Sequence, residues 1–210
     1  MINLFKLQIA FFLLSHANEY NFNRKIVYDS LRFENNQKNG VITYLMNDKI
    51  NSYNAYLWKL TDEESTLTFV DQKGISYSTK TDTGIFNNPV YYFKGENLHI
   101  YANPYKYQVR NYDFTALNDT ILNNKICKRF ILKSKKELKK KSGSEVYIID
   151  TSFNLKPLLT HSTVYEVWKK RKNLPNGLII EKYYYNSENK ITCIEKLRSY
   201  ETIDLVFKIP

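Results

Sequence analysis

The sequence predicts a mainly β protein: a single curved antiparallel sheet or half-barrel of about 10–13 short strands, with one or two short helices as a plug. Three observations carry this. Runs rich in Tyr, Ile, Val, Phe and Thr recur between closely spaced turn signals. No repeat with a period of roughly 20–50 residues marks the 210-residue chain, and no Pro/Gly/Ser-rich linker divides it. Helical periodicity surfaces once, near the start of the last quarter.

The chain opens on the layout of a secretory signal. Residues 1–6 form a short n-region with one cation, Lys6, and residues 7–14 an apolar h-region. Ser15-His16-Ala17 then puts small residues at −3 and −1 of a cleavage site. Gln8 breaks the apolar run, which falls short of the roughly 20 residues that span a bilayer. No cysteine follows it, so the layout is not that of an acylated lipoprotein. Residues 1–17 therefore read as a signal peptide and 18–210 as one antiparallel β-rich domain, exported to the periplasm or beyond. The other reading of the start is a buried strand or helix of a cytosolic protein.

Strands are expected over 25–33, 41–46, 55–59, 66–71, 75–79, 90–94 and 98–102 in the first half. Asp71-Gln72-Lys73-Gly74 and Lys94-Gly95-Glu96-Asn97 read as hairpin turns, because glycine supplies the positive φ that tight turns need. The second half adds 106–114, 125–133, 145–150, 177–185, 190–197 and 202–208. Between Tyr107 and Phe114 the apolar positions change parity, as at a bulge. Thr163 and Glu166 have capping-box spacing before Val164, Tyr165, Val167 and Trp168, so a helix is expected there. Lys169, Lys170, Arg171 and Lys172 suit its C-terminal end, and Pro175 forbids continuation. Thr-Val-Tyr-Glu-Val-Trp also alternates, which leaves a further strand as the other reading.

The inventory of reactive side chains fails most catalytic classes. Past the leader the chain holds two histidines, His99 and His161, far apart in sequence. It has no His-Glu-x-x-His, no Cys-x-x-Cys, no Gly-x-Ser-x-Gly elbow and no Gly-rich phosphate loop. His99 falls in a strand pattern. His161 falls in a polar turn with no companion base beside it. The residues thus point to no catalytic group, no metal and no cofactor, and a hydrolase with dispersed carboxylates is the least favoured reading. Cys127 and Cys193, the only cysteines, both lie in strand-like segments. In an oxidising compartment they form either one disulfide or two buried thiols.

The formal net charge is +10. In an exported protein such an excess points to anionic partners of the envelope, although an AT-rich genome rich in Lys, Asn, Ile and Tyr codons produces the same composition. The densest run spans 133–141. Lys135, Lys136, Lys139, Lys140 and Lys141 would touch anionic lipid head groups, each worth about 1 kcal/mol near a charged surface, or simply face water in a hairpin loop. Aromatics are scattered rather than grouped in an RNA-binding pattern, so no nucleic-acid partner is expected. Eighteen Tyr and twelve Phe are the other unusual feature. A curved sheet lined by them would make a concavity for an apolar or amphipathic ligand, with Trp58, Tyr91, Phe93, Trp168 and Tyr184 as its expected contacts. Tyrosine is also simply a good strand former with a wet tip.

At Leu174-Pro175-Asn176-Gly177-Leu178-Ile179 the chain resembles the motif that names the GLPGLI family of exported bacterial proteins. Val146-Tyr147-Ile148-Ile149-Asp150-Thr151 upstream, a tyrosine-rich strand downstream and Lys125-Ile126-Cys127-Lys128-Arg129-Phe130 agree with it. Asn176 is inserted between Pro175 and Gly177, and Asn173 stands where the first family glycine would fall. The resemblance implies the broader lipoprotein-carrier (LolA/LolB-like) architecture, a curved antiparallel sheet around a helical plug. The function expected is then a periplasmic or secreted carrier for a lipid, an acyl chain or a lipidated partner. The alternative is a non-catalytic structural or protein-interaction module of the envelope.

Overall fold

Burial alternates along the strand Glu64–Asp71 and along much of the strand Glu19–Arg32, as a sheet with one face on a core requires. The computed structural model describes residues 19–33, 39–82, 84–101, 104–135 and 142–209. The expected signal peptide and Lys136, Lys139, Lys140 and Lys141 lie outside them. In chain order the strands are β1 (Glu19–Arg32), β2 (Asn39–Met46), β3 (Tyr53–Lys59), β4 (Glu64–Asp71), β5 (Ile75–Asp82) and β6 (Val90–Tyr92). They continue with β7 (Leu98–Ile100), β8 (Tyr112–Leu122), β9 (Lys125–Ser134), β10 (Ser144–Asp150), β11 (Leu178–Tyr185) and β12 (Ile191–Lys208). One α-helix, α1 (Ser162–Arg171), precedes β11, and a 3₁₀ segment, Pro104–Arg110, precedes β8.

All twelve strands belong to one open sheet, in the order β7-β5-β4-β3-β2-β1-β12-β11-β10-β9-β8, with β6 pairing in parallel to the end of β12. Every other pairing is antiparallel. Connectivity forces the sheet to curve. Laid flat, its eleven-strand path would be roughly 48 Å wide at a spacing of about 4.8 Å. The two edge strands are nevertheless consecutive in sequence: Ile100 ends β7 and Tyr112 begins β8. With seven of the intervening residues in a 3₁₀ helix, that connection spans roughly 30 Å at most. The edges must therefore bend toward each other around whatever fills the inside.

The turns account for themselves chemically. Gly74, at φ +122°, closes β4–β5, where its N–H bonds the Asp71 carbonyl at 2.9 Å. Asn123 and Asn124 hold φ of +48° and +61° between β8 and β9, the backbone of a two-residue hairpin turn. Asn186 Oδ1 accepts from the N–H groups of Glu188 and Lys190 to shape the β11–β12 turn.

Two aromatic cores occupy opposite faces. On the inner face Ile42, Tyr44 and Met46 of β2 join Ile26 and Tyr28 of β1, Tyr147 and Ile149 of β10, and Val164, Val167 and Trp168 of α1. Leu45, on the opposite face of β2, joins Ala55 and Leu57 of β3 and Leu67 and Phe69 of β4 to build the second core with Phe22, Phe93, Leu205 and Phe207. Between β10 and α1 the chain crosses the inner face and is tied down there. Lys156 N–H bonds the Asp48 carbonyl at 3.0 Å, and Asn54 Nδ2 bonds the Leu159 carbonyl at 2.9 Å.

The expected mainly β, curved antiparallel architecture is the one observed. Its details differ in five places, the first at Lys94–Asn97, which is no hairpin turn: β6 pairs with β12 and β7 with β5, and Gly95–Asn97 is a 3₁₀ turn without positive φ. Residues 106–110 are 3₁₀ helix rather than strand, since Pro104 opens a helical turn and the strand starts at Tyr112. That strand then runs on to Leu122, absorbing the poor strand formers Asn118 and Asp119 at a register shift between Leu117 and Thr120. The strands expected over 190–197 and 202–208 are one continuous β12, whose two register shifts against β1 let it follow the curve. The helix forms, but its N-cap is His161 rather than Thr163, with no side-chain cap.

Candidate functional site

Register brings a set of polar and aromatic side chains onto the inner face. One row across the sheet runs Phe130, Tyr147, Lys182, Glu195 and Ser30 from β9 to β1. The adjacent row on the same face runs Leu132, Glu145, Tyr184, Cys193 and Arg32. On β2 to β4 the face continues as Ile42–Trp58–Thr66 and Tyr44–Tyr56–Thr68. Since side chains alternate with period two, membership of a row decides which of these groups can meet.

Lys182 and Glu195 meet in the interior. Lys182 is 1 % exposed, and its Nζ lies 2.6 Å from Glu195 Oε2. The ammonium also stands 4.8 Å from the ring centre of Tyr44, 5.4 Å from that of Tyr28 and 5.8 Å from that of Tyr184. Angles at Nζ give an ion pair without a formal hydrogen bond, so the tyrosine faces supply the rest of its solvation. Tyr184 Oη donates to Glu195 Oε1 at 3.2 Å, and Tyr44 Oη donates at 3.4 Å. Burial pushes the phenols of Tyr28, Tyr44 and Tyr184 well above the usual tyrosine value, and Glu195 pushes them further. They are protonated donors at any physiological pH.

A second polar pair stands one row away. His161 Nε2 lies 2.6 Å from Glu145 Oε1, joining the start of α1 to β10, and Tyr147 Oη donates to the other carboxylate oxygen. Burial raises the Glu145 carboxyl, but His161, Tyr147 and Lys182 outweigh it and hold the group below the usual glutamate value. His161 thus has the carboxylate companion that its sequence neighbourhood does not show.

Above these groups lies open space. A groove of about 800 Å3 is walled by Ile42, Tyr44, Tyr56 and Trp58 on one side and by Thr160, His161 and Tyr184 on the other. Thr66, Thr68, Thr192, Cys193, Glu195 and Arg32 complete it. A smaller cavity of about 350 Å3 adjoins it, sharing His161, Tyr184 and Thr192 and adding Glu145 and Tyr112. Trp58 is seated against Gly40, where a Cβ would stand 2.9 Å from the indole Cη2. The Arg32 guanidinium lies 4.3 Å from the centre of a Trp58 ring.

The chain is similar in fold to MucB. It matches MucB of the Pseudomonas aeruginosa MucA/MucB complex with a TM-score of 0.46 and 9 % identity, covering 87 % of this chain and 52 % of that one. The chain thus spans about half the length of the MucB structures it matches. A DUF1329 family protein from Desulfovibrio piger matches with a TM-score of 0.33 and 8 % identity, covering 94 % and 90 %. A LolA-superfamily protein from Nitrosomonas europaea matches with a TM-score of 0.33 and 7 % identity, covering 88 % and 87 %. No family model matches the sequence, and no curated protein does, so the likeness to the GLPGLI motif remains a likeness of residues 174–179.

The expected ligand contacts divide among three places. Trp58 and Tyr184 line the groove. Phe93 and Tyr91 belong to the core on the opposite face, where Phe93 stacks on Tyr77 at 4.3 Å and Tyr91 Oη lies 3.0 Å from Tyr77 Oη. Trp168 is buried in the inner core, its indole N–H bonded to the Leu174 carbonyl at 3.2 Å. Phe93, Tyr91 and Trp168 line neither cavity. Lys135, just past β9, is tied to the 3₁₀ segment and β8, with Nζ 3.4 Å from the Val109 carbonyl and 3.9 Å from Asp113 Oδ2.

Cys127 and Cys193 are free thiols. Three strand steps separate them, since β9 reaches β12 through β10 and β11, and Cys127 lies five residues along β9 from the row of Cys193. Their separation therefore exceeds roughly 14 Å, twice the Cα distance that a disulfide can bridge. Burial pushes both thiols up, so neither is an activated nucleophile. Among the described residues no three His, Cys, Asp or Glu are placed to hold a metal ion, and no helix is long and apolar enough to cross a membrane.

The sequence reading missed Lys182, Glu195, Glu145 and Tyr44. A signal existed for the first pair: folding the chain back at residues 186–190 brings Lys182 close to Glu195. A plain count, however, sets Lys182 opposite Ile194. The register shift between Tyr184 and Tyr185 moves it onto Glu195, and a bulge leaves little trace in composition.

Proposed function

We propose that the protein is an exported binding or carrier protein whose inner-face groove holds an amphipathic ligand carrying a lipid or acyl chain. The observation that carries this is the groove of about 800 Å3, open to solvent and walled by Trp58, Tyr56, Tyr44 and Ile42. Its volume lies within the roughly 300–1,000 Å3 that drug- and lipid-sized ligands occupy. The groove, rather than the likeness to LolA-superfamily or lipoprotein-sorting folds, bears the weight of the reading.

The arrangement suits binding better than turnover. The groove's carboxylate, Glu195, is matched by Lys182 at 2.6 Å, and burial holds the phenols of Tyr44 and Tyr184 protonated. What remains for a ligand is aromatic and aliphatic surface on one wall and hydroxyl groups on the other. Burying an acyl chain there gains about 0.8 kcal/mol per methylene removed from water.

The two tryptophans make the test direct, because Trp58 lines the groove and Trp168 does not. In a Trp168→Phe variant, titration with a medium-chain amphiphile should shift the emission of Trp58, and in Trp58→Phe the emission of Trp168 should stay constant. Mass spectrometry of an organic extract of the gently purified protein should recover a lipid at near one per chain. An empty extract together with unchanged Trp58 emission would return the protein to the role of an envelope interaction module.

A further inference from the structure

We infer that the groove selects amphiphiles with an anionic head group, a carboxylate or a phosphate, and that Arg32 is the residue that holds it. This deepens the carrier reading and rests on it. Charge accounting in and around the groove carries the inference. Of the carboxylates there, Glu195 is paired with Lys182 at 2.6 Å and Glu145 with His161 at 2.6 Å. Arg32 alone has no carboxylate or hydrogen-bond partner among the described residues; its neighbours are the Trp58 ring at 4.3 Å and its register partner Cys193. The cation of the groove without an anionic partner among the described residues is therefore Arg32, at the end of β1.

Position and rigidity make that charge usable. Arg32 is the last residue of β1, and its register places it on the inner face in the row of Tyr184 and Cys193. Trp58 lies against Gly40, which leaves room for the indole by lacking a side chain. Contact with that ring costs the guanidinium part of its freedom before any ligand arrives. A planar fork of N–H donors matches the two oxygens of a carboxylate or phosphate. The hydroxyl of Thr192 lies in the same groove. An acyl chain running from Arg32 would then follow Trp58, Ile42 and Tyr56 along the apolar wall.

The test compares head groups on one chain length. Dodecanoate and dodecyl phosphate, dodecanol as the neutral analogue and dodecyltrimethylammonium as the cation are titrated below their micelle concentrations, with Trp58 emission in the Trp168→Phe background as readout. Both anions should bind at least about tenfold more tightly than dodecanol, and Arg32→Gln should remove that margin while leaving dodecanol affinity within about twofold. Arg32→Lys should keep part of it, and added salt should weaken the anions only. A preference for dodecanoate over dodecyl phosphate, or the reverse, separates a fatty-acid ligand from a phospholipid-like one. Equal affinity for anion and alcohol, or an unchanged margin in Arg32→Gln, overturns the anion inference and leaves the carrier reading standing. No binding of any of the four to the unsubstituted groove overturns both. Arg32 is exposed at a strand end, and a thermal melt of each variant confirms that affinity rather than folding has changed.

Discussion

At the scale of single residues, the buried Lys182–Glu195 pair is where removal of a few atoms has the largest consequence. Two charges taken out of water are tolerated because each solvates the other and the surrounding tyrosines complete the shell. Lys182→Met leaves Glu195, itself 6 % exposed, without its cation, and should cost about 3–5 kcal/mol in urea unfolding. Lys182→Met combined with Glu195→Leu should recover most of that loss. A double variant no more stable than the single one would show that the pair is not the source of the cost.

Glu145 makes a separate prediction in pH. Its carboxyl is held below the ordinary glutamate value of 4.5 in the folded protein. A group whose folded pKa is depressed stabilises the fold above its unfolded pKa and loses that contribution as pH falls through its folded value. Stability should therefore be level above about pH 5 and decline on the acid side of 4.5. In His161→Asn the lowering contribution of the imidazole is gone, so the folded carboxyl moves up toward or past its unfolded value, and the acid-side decline should become shallower, with lower stability at neutral pH. Urea midpoints measured between pH 3 and 7 for both proteins check the direction. An acid limb as deep in His161→Asn as in the parent protein would show that His161 does not hold Glu145 down.

Elements show how local chemistry and tertiary packing divide the work. Gly177, the glycine of the GLPGLI-like segment, has φ +152° and sits where a Cβ would lie 2.5 Å from Ile149 Cγ2 and 2.7 Å from the Asp150 carbonyl. It also donates its N–H to the Leu155 carbonyl at 2.9 Å. That glycine lets β11 start hard against β10 while the crossing segment passes over them. Gly177→Ala should cost about 1–3 kcal/mol through strain and overpacking, read as a drop in urea midpoint; a drop under about 0.5 kcal/mol would mean that the backbone shifts freely there. The helix tells the complementary story. Its apolar stripe and lysine-rich end were legible as Val164, Val167, Trp168 and Lys169–Arg171, whereas its N-cap was not. Thr163 and Glu166 have the spacing of a box, yet the helix begins earlier because His161 is pinned by Glu145 from a strand sixteen residues upstream.

Over the whole molecule, β1 and β12 form the seam along which the two cores meet. They pair from Glu19–Lys208 to Arg32–Cys193, and β1 contributes Ile26 and Tyr28 to one core and Tyr20 and Phe22 to the other. The two faces should therefore unfold together. Phe207→Ala, in the second core and fully buried, should cost about 3–5 kcal/mol. It should lower the midpoint reported by Trp168 in the first core as much as the midpoint reported by backbone circular dichroism. An unmoved Trp168 transition would show two independent units.

Most of the strands, the Asp71–Gly74 turn and the mainly β class followed from the sequence alone, because side-chain periodicity and turn residues are local properties that each segment carries with it. So did the abundance of tyrosine, which supplies Tyr44, Tyr56 and Tyr184 to the groove. Which aromatics line the groove and which fill a core did not follow: Trp58 and Trp168 are alike in sequence terms, yet one lines the groove and the other is buried. That assignment depends on register, and register turns on single-residue shifts such as the one at Tyr184/Tyr185, where one added residue exchanges the faces of everything beyond it. The meeting of Lys182 with Glu195, of His161 with Glu145 and of Arg32 with Trp58 was likewise decided only by tertiary structure. Each joins residues from separate strands or from a strand and a helix, and the free energy that brings them together comes from burying the sheet's inner face rather than from any preference of the residues themselves.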